Sequence, residues 1–254
     1  LNQGQLDHTG LFRKKKALNA LLHRWELHGW GTPCLNPPSF QSNGLNPIFA
    51  GILQANIERI NSQRYRMRWE EKSLDSCALQ LEDTSQPITA SKQSVRFFDT
   101  GDAYRIDVEK NWRIDGLSYH LLPAGLFNRL QDSCAGLVAN IGEDERESWP
   151  DEDDGFLSIA IACKNLFIAG EEIFLAADAE GWMQSCDAFF SPMGFSKPES
   201  VSSIDSNGGI ELTYSRVAMP AITMGMLAGA WVRSEGRPVK VGFLRGEKSL
   251  QITL

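Results

Sequence analysis

The spacing of apolar residues near the start of the chain predicts two amphipathic helices. Apolar positions recur every three or four residues, which places them on one side of a helix. The first helix is expected over about 12–28, with Gly29 where a C-terminal cap stands, and the second over about 47–61, with Pro47 in its first turn. Their apolar residues are Leu11, Leu18, Leu21, Leu22 and Trp25, and then Ile48, Phe49, Ile52, Leu53, Ile57 and Ile60. The Gly-, Pro-, Asn- and Ser-rich stretch 29–46 predicts a loop.

An alternating pattern replaces the helical one after the second helix. From Arg64 to Trp69, large apolar residues alternate with arginines, which is typical of a strand with one solvent-exposed face. The segment 77–81 is expected to pair with this strand as a hairpin. Two further strands, about 94–99 and 103–109, are predicted on either side of a turn sequence.

Two helices and three short strands are predicted in the next part of the chain. One helix begins at Pro123 and ends near Gly142, and the other covers about 179–190. The strands expected between them cover 156–162, 166–169 and 173–177.

The last part of the chain is expected to be entirely β from Ser200 onward. The pair Asn207-Gly208 predicts a tight hairpin turn between strands at 200–205 and 210–217. No internal repeat is apparent in the sequence. Helices followed by antiparallel strands indicate the α+β class, with helices, an antiparallel sheet and a β-rich C-terminal third.

Charge is concentrated in one segment. The segment 143–155 holds eight acidic residues and one arginine, and its net charge equals the formal charge of −7 for the whole chain. We expect an acidic loop there, because such runs stay hydrated. This loop would separate an α+β portion, 1–142, which has a basic N-terminal helix, from a β-rich portion, 156–254; a single domain containing both portions is the alternative.

Composition narrows the class of protein. The chain has 254 residues, 42% of them hydrophobic and 22% charged, as is usual for a folded soluble protein. It contains no apolar run of the roughly 20 residues that span a bilayer, so no membrane insertion is predicted. The five cysteines are scattered without a CxxC pair, which favours a reducing compartment and a cytoplasmic location. No secretion signal opens the sequence as it is given.

Basic residues supply the most specific binding hypothesis. Side chains at alternate positions of a strand are about 6.6 Å apart on one face, close to the spacing of phosphates along an extended nucleic-acid strand, and guanidinium groups bind phosphate well. Tyr65 and Trp69 would face the core. The alternative is a solvated face that pairs with Glu70, Glu71, Glu82 or Asp83. The predicted nucleic-acid-binding residues are Arg64, Arg66 and Arg68 on the strand, and Arg13, Lys14, Lys15 and Lys16 at the start of the first helix.

Catalytic chemistry has no recognisable motif in the sequence. The four histidines lack the spacing of metal ligands, the acidic segment departs from the EF-hand pattern, and 242–249 departs from the phosphate-binding loop. No metal or other cofactor is therefore predicted, and nothing nearby would activate Cys34, Cys134 or His120. Paired carboxylates need no fixed spacing, so a hydrolase that uses them is one alternative.

Some short sequence features resemble a known family. A helix that leads into a strand bearing arginine and tryptophan is similar to a feature of the RRM-like subunits of CRISPR RNA-guided effector complexes. The runs Gly-Trp-Gly-Thr-Pro at 29–33, Trp-Pro-Asp-Glu-Asp at 149–153 and Gly-Phe-Leu-Arg-Gly at 242–246 add to the similarity. These features cover about a fifth of the chain. The resemblance implies non-catalytic binding of a guide-RNA backbone within a larger complex.

The sequence therefore predicts a non-catalytic binding or assembly subunit. Its expected partners are other protein subunits and RNA or DNA, with no membrane partner. A second alternative is a protein–protein interaction module, which would expose an apolar patch that includes Trp30, Trp149 or Trp182.

Overall fold

The computed structural model describes residues 13–87, 112–135 except 115, and 141–254 except 172, 216, 218, 247 and 248. Helices and two four-stranded antiparallel sheets within these residues confirm the α+β class. The strands predicted at 94–99 and 103–109 lie outside the described residues. None of the helices in the described part of the chain has both the length and the hydropathy needed to cross a bilayer.

The chain divides into two compact units. Unit 1 contains the described residues up to Pro123, and unit 2 contains those from Ala124 onward. The sheet of unit 1 has the strand order β1-β2-β4-β3, with antiparallel neighbours. Strands β5 and β6 form a separate two-stranded antiparallel ribbon. The elements of unit 1 are α1 (Arg13–Leu27), β1 (Thr32–Leu35), β2 (Pro38–Gln41), α2 (Asn46–Asn61), β3 (Tyr65–Ser73), β4 (Ser76–Asp83), β5 (Arg113–Ile114) and β6 (Leu117–Ser118).

The apolar patterns at the start of the chain form the core of unit 1. Both predicted helices and the β3–β4 hairpin are present. Trp25 is fully buried, and its ring lies 5.8 Å from Phe40 and 6.1 Å from Phe49 between centroids. The prediction of a loop at 29–46 is wrong in part, because β1 and β2 lie within it. These strands are only four residues long, which is too short for their alternation to be recognised.

Unit 2 contains the second four-stranded sheet, with the strand order β7-β8-β10-β9. Its neighbouring strands are also antiparallel. The elements of unit 2 are α3 (Ala124–Cys134), α4 (Glu143–Glu147), α5 (Asp154–Ala169), α6 (Ala179–Phe190), a 3-10 turn (Ser191–Met193), β7 (Ser200–Ser203), β8 (Ile210–Tyr214), α7 (Pro220–Glu235), β9 (Gly242–Arg245) and β10 (Leu250–Thr253).

Several predictions in the second half of the chain are wrong. Strands were expected at 156–162 and 166–169, but one helix, α5, covers both segments. A short apolar run suits a buried strand and a buried helix equally well. The start of the helix is fixed by Asp153, whose carboxylate accepts the Phe156 N–H at 2.9 Å. No regular element covers the described residues of 173–177.

The C-terminal third contains the expected sheet, but it is not entirely β. Helix α7 lies between β8 and β9 and is buried along most of its length. Its two glycines, Gly225 and Gly229, lower helix propensity, which hid the helix in the sequence. The predicted helix at 179–190 and the hairpin around Asn207-Gly208 are present, although six residues, 204–209, separate its strands.

Close packing of α5 against α7 explains both glycines. A Cβ atom on Gly225 would overlap the carbonyl oxygen of Ala160, and one on Gly229 would lie 2.6 Å from the Cβ of Phe167. Both positions are buried. The two helix backbones therefore approach so closely that only glycine fits at the crossing.

The two units share one order of elements. In each, a helix precedes a β-hairpin, a second helix of 16 residues follows, and a second hairpin completes the sheet. The sheets also share the order first, second, fourth, third strand. Helices α2 and α7 both begin with proline in the first turn and end at a residue in the left-handed conformation, Ser62 and Gly236. The topology is thus repeated where the sequence shows no repeat.

Candidate nucleic-acid interface

Arg64 is held by a contact within unit 1. It lies just before β3, and its guanidinium donates to both carboxylate oxygens of Glu58 on α2, at 2.8 and 3.0 Å. The Glu58 side chain is 3% exposed, whereas that of Arg64 is 33% exposed. Glu58 also accepts the N–H of Tyr65 and the amide of Gln54, each at 3.0 Å. Since a buried carboxylate needs such donors, Arg64 serves the fold.

Arg66 and Arg68 occupy the exposed face of β3. Both side chains are exposed, and they alternate with the half-buried Tyr65 and Met67. Because neighbours directly opposite one another share a face, Arg66 lies beside Glu82 and Arg68 beside Gln80. No ion pair joins either arginine to another described residue, so two of the three predicted strand arginines present open guanidinium groups.

Two of the four acidic residues expected to neutralise the arginine strand have other partners. Glu70 forms an ion pair with Lys72 at 2.7 Å, and Glu71 accepts a hydrogen bond from Asn46 at 2.8 Å. The buried Glu58, which pairs with Arg64, was not recognised in the sequence. Its only sequence signal was an acidic residue next to Ile57 on the apolar face of α2.

The alternation predicted that Trp69 lies in the core, but it does not. It is on the same face of the sheet as Met67, opposite Leu79 in the register, yet it is 41% exposed. The reason is its place on the outermost strand of the sheet, where a side chain has a neighbouring strand on one side only. Its indole ring is accessible to a ligand or to another chain.

Two of the basic residues at the start of α1 have described side chains. Lys15 and Lys16 are exposed, and α1 begins at Arg13 with no acidic residue in its first turn. Lys14 is also in this first turn. Cations at a helix N-terminus oppose the helix dipole, so these residues contribute no favourable interaction with the helix itself.

A small pocket adjoins the start of β3. Its volume is about 280 Å³, and its lining includes Arg64, Arg66, Gln54, Thr84 and Gln86. Arg66 provides the open charge in this lining, because Arg64 is paired. Tyr65 and Met67 also line it, so the pocket combines polar groups that suit a phosphate or a sugar with apolar surface.

Some residues of the acidic segment of unit 2 form local contacts. Part of it forms α4, and Trp149 is buried. Glu145 accepts hydrogen bonds from the buried Lys164 and from the Trp149 ring N–H. Arg146 pairs with Asp154 at 2.8 Å. The segment therefore contacts α5 through Glu145 and Arg146, while six of its eight acidic residues are exposed, as expected for a hydrated segment.

The ionisation of Glu145 does not suit a general acid. Burial raises the pKa of its carboxyl, but the hydrogen bonds from Lys164 and Trp149 outweigh burial and hold the pKa below the ordinary value of 4.5. A general acid needs a raised pKa. Glu145 is therefore a structural anion that compensates Lys164, and it gives the paired-carboxylate hydrolase no support.

Removing Glu145 is expected to destabilise unit 2 more than removing Lys164. The Lys164 side chain is 11% exposed and that of Glu145 is 35% exposed, so Glu145→Gln strands a buried ammonium group whereas Lys164→Met leaves a carboxylate that water can reach. We expect a loss of about 2 kcal/mol for Glu145→Gln and under about 1 kcal/mol for Lys164→Met. Urea unfolding followed by tryptophan fluorescence measures both, and equal losses would contradict this assignment.

The stabilisation from Glu145 is also expected to depend on pH. Because its folded pKa is lowered, the stabilisation is fully present above the unfolded pKa and is lost as pH falls through the folded value. The difference in unfolding free energy between wild type and Glu145→Gln should therefore be larger at pH 7 than at pH 3.5. A difference that grows on acidification would contradict the lowered pKa.

The nucleophile candidates have no activating arrangement among the described residues. Cys34 is exposed on β1, and Cys134 is half-buried at the end of α3. His120 is engaged through Nδ1 with the Gly29 carbonyl oxygen at 2.6 Å. Burial raises the pKa of the Cys163 thiol to about 11, which is opposite to the change that activates a nucleophilic cysteine. The described residues also contain no cluster of three or more potential metal ligands.

The tryptophans proposed for a protein-binding patch are buried. Trp30, Trp149 and Trp182 are 2%, 6% and 1% exposed. None of these three tryptophans therefore belongs to an exposed apolar patch of the kind that a protein-binding module would show. The exposed tryptophan is Trp69, on the same strand as Arg66 and Arg68.

Comparison with known proteins does not assign the chain to a family. No protein-family model matches the sequence, and neither a curated protein nor a solved structure matches it.

Proposed function

We propose that the protein is a non-catalytic binding subunit of a larger complex and that it contacts a nucleic-acid backbone through Arg66 and Arg68. The observation that supports this is the pair of exposed guanidinium groups on one face of β3, neither in an ion pair with another described residue. Their two-residue separation gives about 6.6 Å along the strand, which suits adjacent phosphates.

The pocket that adjoins β3 and the basic start of α1 are further candidates for contact with the nucleic acid. The pocket at the start of β3 contributes amide and hydroxyl groups that can donate to phosphate or sugar oxygens. Lys15 and Lys16 add charge on α1, as we propose also for Arg13 and Lys14. Outside the segment 143–155, acidic residues balance the basic ones, so the positive electrostatic field is limited to the neighbourhood of these basic residues. The affinity for nucleic acid is therefore expected to depend strongly on salt. RNA is the first ligand to test, since the resemblance to RRM-like subunits implies it.

Loss of both arginines is expected to weaken binding about tenfold or more in low salt. Fluorescence anisotropy with single-stranded RNA and DNA oligonucleotides over a range of salt concentrations measures this. The slope of log affinity against log salt should become shallower by about 1.4, because each phosphate contact on a single strand contributes about 0.7. The test variant is Arg66→Ala with Arg68→Ala; Arg64 is retained because Glu58 needs it.

A matched control separates position from charge. Arg59→Ala with Arg113→Ala removes the same charge from two exposed sites of unit 1 and should leave affinity within about twofold of wild type. Equal losses in both double variants would show that net charge matters and the strand does not. Undetectable binding by wild type in low salt would overturn the proposal for nucleic acid.

A further inference from the structure

No strand among the described residues pairs with the outer edge of β3. Strand β3 is the last strand of its sheet and has nine residues, whereas β9, in the same place in the sheet of unit 2, has four. On the inner side, the Thr84 N–H donates to the Arg64 carbonyl at 3.1 Å. The backbone groups of the even-numbered residues therefore face β4, and those of the odd-numbered residues face outward.

Side chains of α2 form hydrogen bonds with the backbone of Tyr65, the first residue whose backbone groups face outward. The Tyr65 N–H donates to Glu58 at 3.0 Å, and the Tyr65 carbonyl accepts the amide of Gln54 at 2.8 Å. These two side chains take the place of a neighbouring strand at this residue. No described residue does the same for the next outward positions, Met67, Trp69 and Glu71. The regular pairing with β4 breaks between Glu71 and Ser73.

The open part of the edge is symmetric about Trp69. It is five residues long, and its outward groups belong to Trp69 and to one residue two positions away on each side. A segment of this kind can pair with the same segment of a second copy, in antiparallel orientation around a two-fold axis. Trp69 would then exchange both backbone hydrogen bonds with its equivalent, and Met67 would exchange them with Glu71 of the second copy.

We propose that the outer edge of β3 binds a second copy of this chain, in antiparallel register centred on Trp69. In this register Arg68 lies opposite Glu70 of the second copy, and the same pair forms again across the axis. Opposite charges facing each other across strands are stabilising. The two indole rings, each 41% exposed in the single chain, would meet at the axis and lose water-exposed surface.

Backbone hydrogen bonding disfavours the neighbouring registers, because only the Trp69-centred register pairs all three open outward residues, Met67, Trp69 and Glu71, of each copy. Centring the pair on Arg68 or on Glu70 also places identical charges directly opposite each other, and centring it on Met67 places Arg66 opposite Arg68. In the preferred register the outermost pair, Arg66 and Lys72, is like-charged, which limits affinity. The dimer is therefore expected to form at micromolar or higher concentration, as small interfaces do. This proposal goes beyond the nucleic-acid function and does not depend on it. Because Arg68 pairs with Glu70 of the second copy in the dimer, dimer formation would compete with nucleic-acid contact through Arg68.

Sedimentation equilibrium of the full chain over a wide concentration range tests the proposal. Wild type should show a reversible monomer–dimer equilibrium. Arg68→Glu should weaken it at least about tenfold, because it places two like-charged pairs at the axis, and Arg68→Glu with Glu70→Arg should restore it to within about threefold of wild type. Trp69→Pro should also give monomers, since proline removes an outward N–H and spares the bonds to β4.

Three results would overturn the proposal. The first is a wild-type protein that stays monomeric at the highest concentration. The second is a dimer that Arg68→Glu leaves unchanged, which would place the interface elsewhere. The third is a monomer in which the amides of Met67, Trp69 and Glu71 are protected from hydrogen exchange, which would mean that the chain itself covers the edge. Circular dichroism of each variant shows whether it is folded.

Discussion

Gly225→Ala is expected to destabilise unit 2 by about 3 kcal/mol, at the upper end of the usual cost of overpacking a core. The added methyl group would overlap the carbonyl oxygen of Ala160 on α5. A backbone atom in the middle of a helix cannot rotate away as a side chain can, so the two helices must separate along their whole contact. The buried residues around the crossing, such as Leu157 and Met224, would lose packing as a result.

The same substitution in unit 1 provides the matched control. Gly51 lies inside α2, and a Cβ atom there would have no described atom within 4 Å apart from the neighbouring backbone of its own helix. Gly51→Ala should therefore stabilise α2 by about 0.5–1 kcal/mol, because alanine has the higher helix propensity. Hydrogen exchange measured by mass spectrometry reports on α2 and α7 separately. The close crossing of α5 and α7 would be contradicted if the amides of α7 lost protection in Gly51→Ala. It would also be contradicted if they kept full protection in Gly225→Ala.

Glu58→Ala is expected to destabilise unit 1 by about 3 kcal/mol. The carboxylate is buried and accepts hydrogen bonds from the Arg64 guanidinium, the Tyr65 N–H and the Gln54 amide. Removing it leaves the donors without their acceptor, and an unsatisfied buried donor costs about 1–3 kcal/mol. Urea unfolding monitored by circular dichroism measures the loss, and exchange of the β3 amides locates it.

Two controls separate the buried carboxylate from general loss of charge. Glu58→Gln keeps an acceptor oxygen and should cost about half as much as Glu58→Ala. Glu82→Ala removes an exposed carboxylate opposite Arg66 and should change stability by less than about 0.5 kcal/mol. If Glu58→Ala were no more harmful than Glu82→Ala, Arg64 would be free to bind phosphate, and the candidate interface would regain its third arginine.

The candidate interface was partly predictable from the sequence. Alternation along a strand depends on local geometry alone, so it correctly indicated that Arg66 and Arg68 share an exposed face. It failed for Arg64 and Trp69. The partner of Arg64 comes from the preceding helix, and the exposure of Trp69 follows from the place of β3 at the edge of the sheet. Both depend on which elements become neighbours.

The sequence by itself determined the α+β class, the helices α1, α2 and α6, and the hairpins β3–β4 and β7–β8, because apolar periodicity and turn residues act within a few positions along the chain. Only the tertiary structure decided that the apolar run after Asp153 is a helix, that two glycines belong inside α7, and that both units repeat one topology. Those outcomes depend on contacts between distant residues. A buried run has no polar face to reveal its period, and a glycine favours a helix only where another backbone lies against it.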